Sequence, residues 1–402
     1  MFVHMLALGA LAVLVTIGLW YRLSSALLFL GFTYIFLLEQ ARYLNHFYLV
    51  VLITFLMIFV PAHRAFSVDA LRRPANRANT APAWALWLIR FQIGIVYFLG
   101  DVAKLNADWL RGEPMRTWLA KRTEHAVLGP FFEEQWMVYL FSYGGLLLDL
   151  LIVPLLLWRR TRIFAFVLVV GFHLTNAWLF TIGIFPWMAI AATTVFLRPD
   201  WPRRIFCGLF AVSQEEKEHK TQKSRRKDPE PDDDAPLRPR RIAGMAPAGL
   251  YLALQILVPM RHFLYPGNVS WTEEGHRFAW HMKLRIKSAD CLFLVTDPQN
   301  HMTWQIDPRD DMPRWQARKM SARPDMILQY SHHLARLQRQ EGHERVEVRA
   351  RVTASLNGRK AQLLIDPEVE LGTTPRTLRA ASWIMPLVEP LSPAYRDKAE
   401  DP

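Results

Sequence analysis

Residues 84–104 read WALWLIRFQIGIVYFLGDVAK, an apolar run with Arg90 near one end and Lys104 closing the other. A helix needs roughly 20 such residues to cross a hydrocarbon core about 30 Å thick, so this run predicts a spanning helix. Working outward, similar runs recur at about 3–20, 23–38, 45–62, 135–157, 163–180, 183–197 and 243–262. Several are shorter than a full span, and the turn around Gly183–Pro186 suggests a broken or re-entrant hairpin. Met1–Trp20 has no basic leading segment and no small-residue cleavage site, and is read as a spanning helix.

After about Arg198 the character changes. Residues 213–241 (SQEEKEHKTQKSRRKDPEPDDDAPLRPRR, Ser213 to Arg241) lack apolar periodicity and read as a charged linker. Beyond Met260 a period of two appears: Phe278, Trp280, Met282, Leu284 and Ile286 alternate with polar neighbours across Arg277–Lys287. Val346, Val348, Val352 and Leu356 alternate with Glu347, Arg349, Arg351 and Ser355. Both stretches predict half-buried antiparallel strands. Asp325–Gln340 predicts a helix, with Met326, Tyr330 and Leu334 four apart. The fold class expected is a membrane protein: a transmembrane bundle of about eight apolar segments, then a mainly β (α+β) domain outside the bilayer. The boundaries expected are 1–200 for the helical domain, 201–242 for a cytoplasmic linker, 243–262 for a further span and 263–402 for the outer domain.

Composition agrees with that split. Hydrophobic residues make up 51% of the 402, yet the mean hydropathy is only +0.07, because an apolar half is averaged with a charged one. The net charge of +12 sits largely in loops, as the positive-inside rule expects of a membrane protein, and no basic stripe interleaved with aromatics suggests nucleic acid. Arg72, Arg73 and Arg77, then Arg159, Arg160 and Arg162, then Lys217–Arg241, lie in alternate loops and orient as cytoplasmic. The loop 104–134 is also basic but carries Asp108, Glu113, Glu124, Glu133 and Glu134, and is read as lying along the interface. Both termini and the domain beyond Met260 then face outside. Two cysteines, Cys207 and Cys291, are too few and too isolated for a disulfide framework or a CxxC site.

Polar groups inside apolar helices are rare and are candidates for function. Asn45 and His46 open the third segment, Lys104 closes the fourth, and His173 and Asn176 share a face of the sixth. All lie toward the outer side. Each also has an ordinary reading: a snorkelling lysine, interfacial hydrogen bonding, helix-to-helix ties, or an Asp101–Lys104 pair. No HxxxH pair or carboxylate triad points to a metal.

The run YRLSSALLFLGFTYIFLLEQARYLNHFYL (residues 21–49) resembles the second-to-third helix region of vitamin K-dependent γ-glutamyl carboxylases. RFQIGIVYFLGDVAKLNADWL (90–110) resembles their catalytic-lysine segment. GFHLTNAWLFTIGIFPW with RPDWPRR behind it, HFLYPGNVSWTEEGHRFAWHMKLR and PDMILQY match in order, so the likeness runs from about Leu19 to about Pro386. The resemblance is to a bacterial-type member with a horizontally-transmembrane-type (HTTM) helical domain. It implies an inner-membrane enzyme that oxidises vitamin K hydroquinone with O₂ to the epoxide. The strong base so formed serves to convert protein glutamate into γ-carboxyglutamate with CO₂, and no metal is implied.

The chemistry accounts for the residue types. The γ-carbon acid of glutamate is beyond any side-chain base near neutral pH, so the oxygenated quinol supplies the force. The protein must deprotonate the hydroquinone and keep water out. A lysine serves as that base only when neutral, a state that desolvation favours. By motif match Lys104 is that base, with Asn45 and His46 the family's Asn-His pair, acting on the quinone oxygens or the glutamate carboxylate. The resemblance further implies His173 and Asn176 as pocket residues, and Trp271, Trp280 and Met282 as contacts of the naphthoquinone; for these last three, packing in the β-domain is the alternative. The animal enzymes have two adjacent lysines where this chain has Ala103–Lys104, a glycine in place of Asp101, and Asp-Met-Met where it has His281–Met282–Lys283. Expected partners are a glutamate-containing peptide or protein and the lipid bilayer, with no nucleic acid. The rival functions are a quinol epoxidase without carboxylation and a non-catalytic membrane scaffold with a partner-binding outer domain.

Overall fold

A computed structural model describes residues 2–391 apart from 79, 181, 203, 205–238 and 344. The expected charged linker and Cys207 fall almost wholly outside the described residues.

Four helices are long and apolar enough to cross a membrane: α2 (Tyr21–Leu38), α5 (Ala83–Val102), α8 (Gln135–Leu157) and α9 (Arg162–Phe180). Only 17–44% of the most apolar window of each is buried. The rest presents side chains such as Leu30, Leu147 and Phe164 outward, the apolar surface that a membrane-crossing helix needs. The segments expected at 3–20, 45–62 and 183–197 form shorter apolar helices, α1 (Phe2–Ile17), α3 (Asn45–Phe59) and α10 (Phe185–Thr193). The eighth is α11 (Pro239–Met260). Three short helices, α4 (Val68–Arg72), α6 (Ala107–Leu110) and α7 (Met115–Leu119), lie in the loops. Packing runs α1 on α2, α2 on α3, α3 on α5, α5 on α8 and α11, α8 on α9, and α9 on α10.

A four-stranded antiparallel sheet follows, in the order β2-β1-β3-β4, with β1 (Lys287–Asp297), β2 (Met302–Ile306), β3 (Glu347–Leu356) and β4 (Gln362–Leu363). Phe293 faces Ile306 on one side and Ala350 on the other, so the register is continuous across three strands. Along β3, buried Val348, Ala350, Val352, Ala354 and Leu356 alternate with less buried partners, which is the period-two expectation. One face is covered by α14 (Arg314–Ser321) and α15 (Pro324–Gln340), preceded by the short α12 (Val269–Thr272) and α13 (Pro308–Asp311). Ile327 and Leu334 of α15 join Phe293, Val295 and Val348 in one fully buried core.

The stretch 277–286, expected as a strand, is irregular and β1 begins only at Lys287. Phe278, Trp280 and Lys283 sit at φ of 61°, 59° and 50°. A strand would carry the chain straight on, whereas this segment turns back into the helices, where Trp280 is buried among Leu49, Leu52, Val96 and Leu99. Gly100 on α5 makes room, since a Cβ there would lie 3.2 Å from Met282 Cε.

Candidate active site

The helices and the sheet domain jointly enclose one cavity of about 870 Å³, within the range of small-molecule sites. Its helical wall is apolar, with Leu49, Val96, Phe141, Phe172 and Phe185. Asn45, His46, Lys104, His173, Asn176 and Met282 all line it. The polar residues expected on three separate helices are therefore brought to one place. Trp271 and Trp280 are both fully buried but do not line the cavity: Trp271 packs in the sheet-domain core and Trp280 against the bundle.

Lys104 follows the last turn of α5, capped back onto Asp101 by a backbone hydrogen bond of 2.8 Å. Its Nζ donates to Asp149 of α8 and, at 3.3 Å, to the carbonyl of Gly145, and it lies 5.7 Å from the Trp109 ring centre. Asp101 Oδ1 is 3.5 Å from Nζ, at ion-pair distance but without hydrogen-bond geometry. One amine thus stands between two carboxylates, whose Oδ1 atoms have no hydrogen-bond partner.

His173 on α9 is tied to α5 and α10. Its Nε2 is 2.8 Å from the Tyr97 hydroxyl, which is 3.3 Å from Thr193 Oγ1, and Thr193 donates to the Ala189 carbonyl at 2.7 Å. Because the Thr193 proton is used on Ala189, both remaining bonds form together only if Tyr97 donates to Thr193 and His173 Nε2–H donates to Tyr97. His173 Nδ1 is then an acceptor, buried and without a partner.

Asn45 secures the irregular segment. Its Oδ1 accepts from the Tyr43 hydroxyl at 2.9 Å and its Nδ2 donates to the His281 carbonyl at 2.9 Å. Tyr43 in turn accepts from Phe278 N–H at 2.7 Å. His46 carries no comparable tie and packs its ring against Phe47 and Phe185.

The sheet-domain wall has the opposite character. Lys283, Arg285, Lys287, Arg318, Lys319 and Arg323 line the cavity there against the single carboxylate of Glu273. Glu273 is paired with Arg285 and lies 3.4 Å from His276. Burial lowers Lys287 to about 7, with Arg285 and Arg323 pushing the same way and Glu273 opposing. Burial, with nearby His262 and Arg285, takes His281 down to about 3, and His276 is likewise held well below its ordinary value. Burial also lowers Arg323, whose Nη1 has no hydrogen-bond partner. Cations short of partners next to a cavity make an anion site.

Sequence reasoning passed over Asp149 and this cationic wall. Asp149 interrupts the leucine-rich run GGLLLDLLIV, and a lone carboxylate in an apolar helix is itself a signal. Tyr43 and Tyr97 carry no such mark, because their roles depend on what packs against them. Among the described residues no group of His, Cys, Asp or Glu is arranged to hold a metal ion.

No solved structure matches the chain. Two protein families do, and they meet at this cavity: the HTTM domain over residues 1–201, and the lumenal domain of vitamin K-dependent gamma-carboxylase over residues 241–390. With an amine, a histidine acceptor and an Asn-His pair supplied by the first, and a cationic wall by the second, the chain belongs to the vitamin K-dependent gamma-carboxylase family.

Proposed function

We propose that this protein is a vitamin K-dependent gamma-carboxylase-like enzyme that converts glutamate in a peptide or protein to γ-carboxyglutamate, with vitamin K hydroquinone, O₂ and CO₂ as co-substrates. The observation that carries the reading is the single cavity with an apolar, amine-bearing helical wall and a cationic sheet-domain wall. The residues fit a flat apolar quinol: aromatic side chains line the helical part, and His173 Nδ1 is an acceptor left without a donor. When bound and oxygenated, the hydroquinone supplies a base stronger than any side chain. Lys104 Nζ takes the proton of a hydroquinone hydroxyl. His173 and Asn176 orient the ring, and Met282 contacts it. His46 and the remaining N–H of Asn45 polarise its oxygens. The apolar wall excludes water that would quench a strong base. Arg285, Lys287 and Arg323 hold the γ-carboxylate of the glutamate substrate.

The same reading assigns residues 1–200 to a helical domain, 201–242 to a cytoplasmic linker, 243–262 to a further span and 263–402 to an outer domain. Eight apolar segments then cross or enter a bacterial inner membrane, with the cavity near its outer face.

The test gives membranes containing the protein vitamin K hydroquinone, a glutamate peptide and labelled bicarbonate, and scores epoxide and fixed label. Both products are expected. Epoxide without label selects an epoxidase, and neither product from folded protein rejects an enzyme. Lys104→Ala should lower epoxide formation by about 100-fold or more, the scale of a lost general base; full retention would remove Lys104 from that role.

A further inference from the structure

We propose that Asp149, backed by Asp101, is the positioning residue that makes Lys104 effective, the three side chains sharing protons as one acid–base unit. The inference rests on the carboxylase-like reading and adds to it a residue from α8. A neutral lysine that deprotonates a neutral hydroxyl alone creates two opposite charges in an apolar cavity, which is costly. The arrangement here avoids that. Two carboxylates and one amine holding a single proton carry a charge of −1 (Lys104 Nζ bonded to Asp149, with Asp101 Oδ1 at 3.5 Å). When the hydroxyl O–H bond breaks, its electron pair stays on oxygen and its proton bonds to Lys104 Nζ, while the proton that Nζ held passes to the Asp149 carboxylate. The unit becomes neutral and the oxygen carries −1. Charge migrates and none is created.

Asp149 is the member that matters most, because it bonds Nζ directly from a different helix. It therefore fixes the amine in space as well as in charge, as the aspartate of a catalytic triad does for its histidine. The other titratable or charged groups that line the cavity are Tyr97 on α5, Tyr43 just before α3, His46 on α3, His173 on α9 and, from the sheet-domain side, Glu273, His276, His281, Lys283, Arg285, Lys287, Arg318, Lys319 and Arg323.

The experiment uses full-length protein in detergent micelles. Acylation of Lys104 by an amine-selective reagent is read by peptide mass spectrometry against exposed Lys360, at neutral and at strongly alkaline pH. Asp149→Asn should raise neutral-pH labelling of Lys104 by about tenfold, since an ammonium that loses an anionic partner releases its proton more readily. Labelling at alkaline pH should not change. Where turnover is measured, kcat should fall at least about tenfold with KM little moved. Asp149→Glu, which keeps the charge, should restore wild-type labelling. Unchanged labelling at neutral pH, or an equal rise at both pH values, would overturn the proposal, the latter showing loosened access alone. If Asp149→Asn does not fold, Asp101→Asn provides the same readout with a smaller expected rise, and no rise counts against the unit. Because labelling needs no turnover, failure of the carboxylase reading leaves this test intact.

Discussion

Lys287 opens β1 from inside the protein, with its ammonium donating to the Trp271 carbonyl at 2.5 Å and stacked 5.2 Å from that ring. Burial, then Arg285 and Arg323, bring it down to about 7, so it is charged below that pH and neutral above. A carboxylate substrate should feel the change. KM for a glutamate peptide is expected to rise severalfold between about pH 6 and pH 8. Lys287→Arg, permanently charged, should flatten that rise. Initial-rate kinetics across the range check it, and an unchanged slope would take Lys287 out of substrate binding. The residue scale also separates what sequence discloses from what it does not. Lys104, His46 and His173 stand out because ionisable groups are rare in apolar helices. Asp149 carries the same signal but has no motif beside it, and its meaning rests on a neighbour 45 positions away.

Among elements, α15 and β3 were legible because each has one wet face and one dry face, which stamps its period on the sequence. The stretch 277–286 misleads for the opposite reason. Its alternating apolar residues reach different partners, with Trp280 and Met282 against the helices, Leu284 beside Leu179 and Phe132, and Phe278 against Tyr43 and Tyr48. Alternation records burial but not on what. The junction depends instead on a clamp at α6. Asp108 accepts from Arg359 Nη1 at 2.7 Å, Arg359 Nη2 at 2.6 Å and Asn357 Nδ2 at 2.8 Å, joining the loop after α5 to the β3–β4 turn. Burial alone would raise the Asp108 carboxyl, but the Arg359 and Asn357 bonds outweigh it and hold it low. Asp108→Asn leaves Arg359 buried without its anion, a loss of about 3–5 kcal/mol. With the folded value depressed, the stabilisation is complete above the unfolded value near about 4 and is lost as pH falls through the folded one. Thermal unfolding should therefore show a deficit at neutral pH that narrows in acid; a pH-independent deficit would show that charge is not its source.

In the whole molecule, the division between apolar and charged halves is readable from composition, and so is a sheet domain following a bundle. The cavity is not, because its walls come from segments far apart in sequence and only packing joins them. Its helical wall holds Asp149 and Lys104, with the carboxylate of Asp101 buried behind Lys104, and its sheet-domain wall holds Arg285, Lys287 and Arg323. A molecule between them sits in an electric field directed from the sheet domain toward the helices. The two carbonyl groups of a bound naphthoquinone would then be inequivalent, polarised to different extents, and their infrared stretching bands should split on binding. Asp149→Asn and Lys287→Met should each narrow the splitting, whereas a single unshifted band would mean that the quinone lies across the field, not along it.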